Sequence, residues 1–295
     1  MPAFKTVALI GRHPSAGVAT ALAALGEYLR KKGCAVLVES ETAATHGVSA
    51  FPAADYAEIG ARADLVVVQG GDGSMLSAAR NLAGRDVPLV GVNQGRLGFM
   101  TDIASSKMID VMAEILAGRH AIEERTMLSA EVRREGRVAL DVLALNDVVV
   151  NKGSVGRLIE FVVNIDSEFV YDLRADGLIV ATPTGSTAYA LSSDGPIVQP
   201  SVPGFALVPI SPHTLSNRPI MVSDRSMIEI SLKRADDARL HFDGQLQCDL
   251  REGDRVAIRR APHTIKFVHP PGYSYFAMLR EKLHWSKTPE RSSER

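Results

Sequence analysis

The chain has 295 residues, of which 46% are hydrophobic and 23% charged, with a formal net charge of −1. That is the make-up of a soluble globular protein long enough for two domains, and the near-zero charge excludes capture of nucleic acid or an anionic membrane by bulk attraction. Cys34 and Cys248 are the only cysteines, too few and too far apart for a disulfide framework or metal-ligand spacing. The chain shows no signal peptide and no apolar run near the roughly 20 residues of a membrane span, so the expectation is a cytoplasmic protein without nucleic-acid or membrane partners.

In chain order, Thr6 to Ile10 reads as a strand ending at Gly11. A helix follows with Val18, Leu22, Leu25 and Leu29 inward and Gly33 as its stop, and then a strand over Ala35 to Val38. This β-α-β opening predicts a parallel, Rossmann-like sheet. Residues 40–54, rich in Ala, Thr and Ser, read as a mobile connection, and Tyr56 to Ala61 as a short helix. Leu65 to Val68 is a contiguous, mostly β-branched run, the pattern of a strand buried on both faces. It stops at Gly70-Gly71-Asp72-Gly73, where glycines free to adopt φ > 0 let backbone amides approach a phosphate and Ser74 can cap the next helix. Asp72 is odd there. A carboxylate repels phosphate, so it is either a turn former or a group that handles a proton or a metal. A second glycine loop, Asn93 to Phe99, follows the strand Val87 to Val92, and Met108 to Leu116 is a helix closed by Gly118.

From about Thr126 the apolar period becomes alternating. Strands are predicted over Met127 to Val132, Val138 to Val150, Leu158 to Ile165, Gly177 to Ala181, Phe205 to Ile210, Ile228 to Leu232, Leu240 to Phe242 and Arg255 to Arg259, a β-rich, sandwich-like domain. The expected division is 1–124 for the α/β domain, 125–272 for the β-rich domain, 273–286 for a helix returning to the first domain, and 287–295 for a disordered tail. The second cluster of chemistry runs from Asp176 through Thr182-Pro183-Thr184-Gly185-Ser186-Thr187-Ala188-Tyr189, where hydroxyls and an aromatic face suit a nucleoside. A capped helix start with a core tyrosine is the plainer alternative. Asn146-Asp147 puts two polar side chains into a strand pattern, which requires a partner, a ligand or a loop at that point. Arg157, Arg174 and Gln245 are weaker signals. Phosphate-loop, protein-kinase and Gly-x-Gly-x-x-Gly motifs are missing.

Gly70-Gly71-Asp72-Gly73, Asn146-Asp147 and Thr182 to Tyr189, in that order and spacing, closely resemble the NAD kinases, in particular the bacterial form, over almost the whole chain. The resemblance implies an α/β domain with a β-rich C-terminal domain, NAD⁺ bound between them, assembly as a homodimer or homotetramer, and phosphoryl transfer from ATP with Mg²⁺ to the adenosine 2′-hydroxyl. It makes Asp72 the general base with Gly73 beside the sugar, and Gly70, Gly71 and Gly73 the phosphate loop. Asn146 and Asp147 hold the adenosine end, where the family accepts Asn-Glu or Asn-Asp. Thr187, Ala188, Tyr189, Ala190, Leu191 and Ser192 line the dinucleotide site, and Asp176 lies at the nicotinamide end. Arg157, Arg174 and Gln245 fall where further contacts are expected, and no side chain is assigned to a metal. Members with arginine at the position of Arg174 tend to prefer NAD⁺ to NADH and ATP to polyphosphate. Two other classes share part of this pattern. A lipid kinase with the same glycine loop needs an apolar cleft for acyl chains, and a non-catalytic NAD(P)-binding regulator has no use for Asp72.

Overall fold

The computed structural model of the chain describes residues 2–12, 16–95, 97–153, 157–214 and 216–285. The chain forms two compact units. One runs from the N-terminus to Glu123 and resumes at Lys266, and the other is Glu124–Ile265.

The first unit opens with β1 (Thr6–Gly11), α1 (Ala16–Lys31), β2 (Ala35–Glu39), α2 (Ser40–His46), β3 (Ala53–Ala54), α3 (Tyr56–Arg62), β4 (Leu65–Gln69), α4 (Asp72–Leu82), β5 (Leu89–Asn93), β6 (Ile103–Ala104) and α5 (Met108–Leu116). The strands form a parallel sheet in the order β5-β4-β1-β2-β3, with β6 beside β5. Every residue of β4 and β5 is buried, as their unbroken apolar runs require. Strand order reverses between β1 and β4, so the loop after β4 lies at a switch point, the usual ligand position in such sheets. The predicted inward positions Val18, Leu22, Leu25 and Leu29 are all buried.

Residues 40–54 depart from the expected connection. Glu39, at the end of β2, accepts hydrogen bonds from the amides of Glu41 and Thr42 and so caps α2, and Gly47 closes it at φ 64°. Both are ordinary helix-end chemistry, but the cap is a glutamate on a strand rather than a Ser, Thr, Asp or Asn.

The second unit contains β7 (Ala121–Arg134, from Glu124 onward), β8 (Arg137–Ala144), β9 (Asp147–Lys152), β10 (Ile159–Ile165), β11 (Glu168–Ala175), β12 (Gly177–Ala181), α6 (Tyr189–Ser192), β13 (Gly204–Ile210), β14 (Ile220–Ser223), β15 (Ile228–Arg234), β16 (Ala238–Phe242), β17 (Leu246–Leu250) and β18 (Arg255–His269, as far as Ile265). One antiparallel sheet has the order β14-β13-β12-β9-β16-β17; the other contains β11-β10-β15-β18, to which the β7–β8 hairpin is joined. Leu128, Val148, Val150, Phe161, Phe205, Ile230 and Phe242 pack between them in one core, a sandwich.

The strand expected over Val138 to Val150 is two strands, broken at Leu145-Asn146. Three strands of this unit lie outside the sequence expectation, namely β11, β14 and β17, as do the two-residue strands β3 and β6 of the first unit. The β10–β11 hairpin turns on Asp166-Ser167, both with positive φ, a two-residue turn without the Asn-Gly or Asp-Gly signature. After β18, α7 (Tyr275–Leu283) belongs to the first unit. It is shorter at both ends than the helical spacing suggests. The tail expected at 287–295 lies outside the described residues.

Candidate active site

Asp72 is the first residue of α4, behind Gly71 as N-cap. Its carboxylate is tied to the second glycine loop. Oδ2 accepts from the Phe99 amide at 2.9 Å, and Oδ1 accepts from the Met100 amide at 2.9 Å and the Thr101 hydroxyl at 3.5 Å. A Cβ on Gly98 would sit 2.2 Å from Asp72 Oδ1, so only glycine lets the loop approach this closely. The loop is braced further: Asn93 Nδ2 donates to the Thr101 carbonyl at 3.1 Å, and the Gly98 amide to the same oxygen at 3.2 Å. Each carboxylate oxygen has two lone-pair directions, so acceptance of loop amides leaves capacity for a ligand hydroxyl.

Two expectations about this loop are corrected. Gly70, Gly71 and Gly73 do not adopt positive φ: Gly71 has φ −104°, Gly73 is helical and Gly70 is not left-handed. Gly70 is needed for space, since its Cβ would fall 2.4 Å from Ser74 Oγ, whereas a Cβ on Gly71 would meet open space. Ser74 does not cap α4. It lies inside the first turn, buried, because the helix starts two residues earlier than its position demands.

The second unit holds a cleft of about 460 Å³ lined by Asn146, Asp147, Val149, Asn151, Ala188, Tyr189, His241, Asp243 and Gly244, within the size range of small-ligand sites. Its floor is one face of β9, where residues 147, 149 and 151 alternate toward the same side, and His241 of β16 is registered opposite Val149. The span from 147 to 151 is about 14 Å at strand rise. Tyr189, 43% exposed, offers its ring at the rim.

Local chemistry explains why the chain breaks at Asn146. The Asp243 carboxylate accepts from the amides of Leu145, Asn146 and Asp147 at 3.1, 2.7 and 3.3 Å. Thr182 donates its hydroxyl to the Leu145 carbonyl at 2.5 Å, and its amide to the Asn146 carbonyl at 2.9 Å. A Cβ on Gly185 would lie 2.0 Å from the Asn146 carbonyl oxygen, so the Thr-Pro-Thr-Gly-Ser-Thr segment needs that glycine to pack against the Asn-Asp pair. Ser186 Oγ donates to the Pro183 carbonyl at 2.6 Å and accepts from the Val198 amide at 2.9 Å, and Arg125 donates to Thr184 Oγ1 at 3.2 Å. The hydroxyls of Thr182 and Ser186 are therefore spent on the loop itself.

Two polar atoms of the cleft residues are left over. Asn146 Oδ1 and Asn151 Oδ1 are buried with no hydrogen-bond partner among the described residues. Asp147 is 4% exposed, and no described residue is hydrogen-bonded to or paired with its carboxylate. Burial, followed by repulsion from Asp243, pushes its pKa from 3.8 up to about 7. Such perturbed, unpaired groups in a cleft mark a site for a ligand. Burial and then Arg239 lower the His241 pKa, favouring the neutral ring.

Of the predicted residues, the cleft gathers Asn146, Asp147, Ala188 and Tyr189 directly. Thr187, Ala190, Leu191 and Ser192 continue the same turn and α6, with Ala190 buried and Ser192 exposed. Gln245 follows Asp243-Gly244 on the β16–β17 turn. Arg157, Arg174 and Asp176 do not line the cleft. Arg157 is an exposed loop residue, Arg174 pairs with Glu160 on the neighbouring strand at 3.7 Å, and Asp176 with Lys152 at 2.8 Å. Asp176 is nevertheless reached along β9. Its carbonyl accepts from the Lys152 amide, five residues or about 17 Å from Asp147. Sequence reasoning misses Asp243, His241 and Asn151. Asp243-Gly244 reads as a solvent turn, and only the fold reveals that its carboxylate faces the β9 start. Among the described residues no three His, Cys, Asp or Glu side chains form a metal cluster.

A parallel sheet with an acidic glycine loop at its switch point, in one chain with a nucleoside-sized cleft, defines a nucleotide-binding α/β protein. Residues 7–120 match the family model of the ATP-NAD kinase N-terminal domain, and residues 145–270 that of the ATP-NAD kinase C-terminal domain. The NAD kinase of Aromatoleum aromaticum is 56% identical over 289 residues, covering 98% of this chain and 96% of the relative; that of Azoarcus sp. is 55% identical over 287 residues, covering 97% and 98%. Among solved structures, yeast NADH kinase complexed with NADH matches with a TM-score of 0.87 at 27% identity, covering 100% of this chain and 90% of that one. An NAD kinase from Archaeoglobus fulgidus in complex with ATP matches with a TM-score of 0.73 at 25% identity, covering 95% and 98%. The chain belongs to the NAD kinase family.

Proposed function

We propose that the chain transfers the γ-phosphoryl group of ATP to the 2′-hydroxyl of the adenosine ribose of NAD⁺, giving NADP⁺, with Asp72 as the general base. The observation that carries this reading is the cleft around Asn146. A buried amide oxygen without a partner and a buried carboxylate without a counter-charge suit an adenosine, whose amino group and ribose hydroxyls are donors. Ala188 and Tyr189 flank it, Thr187 to Ser192 line the rest of the dinucleotide, and Asp176 stands toward the nicotinamide. Arg157, Arg174 and Gln245 make outer contacts. In functional terms, residues 1–124 carry the base and 125–272 the dinucleotide contacts.

A ribose hydroxyl is a poor nucleophile at neutral pH, so a fixed carboxylate within hydrogen-bond reach is needed to take its proton as the bond to phosphorus forms. The amides of Phe99 and Met100 hold Asp72 from one side and leave lone pairs for that proton. The loop at Gly70, Gly71 and Gly73 lets the triphosphate approach, and the open space over Gly71 supports this. A divalent cation such as Mg²⁺ would be supplied with ATP rather than held by an assigned side chain, and its chemistry would be to neutralise phosphate charge during transfer. The enzyme works as a homodimer or homotetramer in the cytoplasm.

A coupled assay for NADP⁺ formation tests the reaction, and Asp72→Asn tests the base. The isostere keeps the helix start but turns its NH2 toward one of the Phe99 and Met100 amides, so the variant loses some stability, while the folded protein keeps its NAD⁺ affinity and kcat falls by about 10² or more. Wild-type turnover in this variant would return Asp72 to a purely structural role.

A further inference from the structure

Asp102 follows directly on the loop that holds Asp72. Its Oδ2 lies 2.8 Å from His269 Nδ1, and the other ring nitrogen, Nε2, lies 3.1 Å from Glu123 Oε2. His269 is 3% exposed and stacks on Tyr273 with ring centroids 3.7 Å apart and planes 8° apart, with Phe267 on a parallel plane at 6.4 Å. None of these groups has a part in the chemistry described above. A ring that donates from both nitrogens to two carboxylates is an imidazolium. Burial alone would lower its pKa, but hydrogen bonds to Asp102 and Glu123, and their charges, raise it.

The loop itself is built for rigidity. A Cβ on Gly91 would lie 2.1 Å from the Met100 carbonyl oxygen, so the segment lies directly against β5, and Lys282 of α7 stands 5.3 Å from the Phe99 ring centroid. Asn93 fixes the segment through Thr101, and His269 fixes it through Asp102. Both anchors bear on residues 101 and 102, directly after the two amides, of Phe99 and Met100, that orient the Asp72 carboxylate.

We infer that His269 is a positioning residue for phosphoryl transfer: through Asp102 it fixes the 98–102 loop, whose amides at Phe99 and Met100 aim the Asp72 carboxylate at the substrate hydroxyl. This rests on Asp72 being the base. Loss of the ring proton leaves His269 a single N–H, either on Nδ1 toward Asp102 or on Nε2 toward Glu123. One carboxylate then faces a ring acceptor, and in the Nε2–H tautomer the loop loses its anchor at Asp102. The groups acting on the ring are Asp102, Glu123 and the stacked Tyr273.

The test measures kcat and KM for ATP and NAD⁺ against pH in wild type, His269→Gln, Asp102→Asn and Asp72→Asn, with His269→Gln also placed in the Asp72→Asn background. Both loop variants are expected to lower kcat about tenfold, as a displaced catalytic group does, with both KM values within about twofold. Wild-type kcat falls on the alkaline side, and His269→Gln abolishes that inflection. In the Asp72→Asn background, His269→Gln lowers kcat no further, because both act on one group. If His269→Gln does not fold, Asp102→Asn and the wild-type alkaline limb carry the test. Unchanged kcat in Asp102→Asn, an alkaline limb that survives in His269→Gln, or additive losses would overturn the positioning role and leave Asp72 as base. Full turnover in Asp72→Asn would overturn the base itself.

Discussion

Replacing Asp147 by asparagine should make the free protein more stable and the enzyme worse. The carboxylate is buried at the start of β9, beside Asp243, with no cation or donor among the described residues to compensate it, and its pKa rises from 3.8 to about 7. The folded state therefore binds a proton that the unfolded chain has released over that interval, so this group makes stability fall as pH climbs from about 4 to about 7. Roughly three pKa units at 1.36 kcal/mol each put the cost near 4 kcal/mol once the group is ionised. Below pH 4 both states are protonated and the cost vanishes. The neutral amide of Asp147→Asn carries no such cost at any pH. Urea unfolding of both proteins from pH 4 to pH 8 should show curves that coincide at the acid end and separate by about 4 kcal/mol above pH 7, with Asp147→Asn the more stable. Parallel curves would refute the argument, because they would mean that the carboxylate is compensated in the fold.

The same substitution is expected to weaken NAD⁺ binding by roughly 1.5 to 3 kcal/mol, the worth of a hydrogen bond to a charged group, while ATP binding is spared. In the wild type, donation from ribose hydroxyls favours the ionised form, so NAD⁺ binding near pH 7 should release a fraction of a proton. Calorimetry in two buffers of different ionisation enthalpy measures this directly. A residue that destabilises the empty protein and is worth more when the ligand is present is what a binding site requires, and a merely structural residue would show the reverse.

Two other substitutions probe the same geometry from its edges. Asp243→Ala removes the acceptor of three buried amides, at Leu145, Asn146 and Asp147, and unpaired buried donors cost about 1 to 3 kcal/mol each; loss of several kcal/mol in urea unfolding is expected, and a change under about 1 kcal/mol would show that the amides find other partners. Arg174→Gly removes a side chain that is 53% exposed and paired with Glu160 at 3.7 Å, an exposed pair worth at most about 1 kcal/mol, so activity and stability should persist while the kcat/KM ratio of NAD⁺ to NADH falls toward one; an unchanged ratio would remove Arg174 from the control of nucleotide choice.

Much of this fold is legible because it rests on local pattern. The apolar run Leu65 to Val68 and the helical spacing of Val18 to Leu29 announce a parallel sheet with a covering helix, and the change to alternation near Thr126 announces the sandwich. The hairpin turn at Glu135-Gly136, with both residues at positive φ, is marked by its glycine. The turn at Asp166-Ser167 has the same backbone sign at both positions and no glycine, and β11 escapes notice with it. Helix α2 escapes because its cap is Glu39, which belongs to the preceding strand. In each case the backbone conformation is ordinary, but the residue type that usually advertises it is absent.

The site divides along the same line. Asp72, Asn146, Asp147 and Tyr189 stand out because each breaks a local rule, being a carboxylate in a glycine loop suited to phosphate, polar side chains inside a strand pattern or an aromatic among hydroxyls. Asp243 breaks none, since Asp-Gly in a turn is the commonest of signals. Its importance comes from a partner about a hundred residues earlier, whose three amides it satisfies. The charges of Arg174 and Asp176 illustrate the point from the other side. From sequence, two residues so close together near a nicotinamide oppose each other, the carboxylate favouring NAD⁺ and the guanidinium repelling it. In the fold each has its own counter-charge, Glu160 for Arg174 and Lys152 for Asp176. With both charges compensated, a point-charge contest between them cannot set the preference for NAD⁺, and any effect of Arg174 on that choice must come from the volume and reach of its side chain.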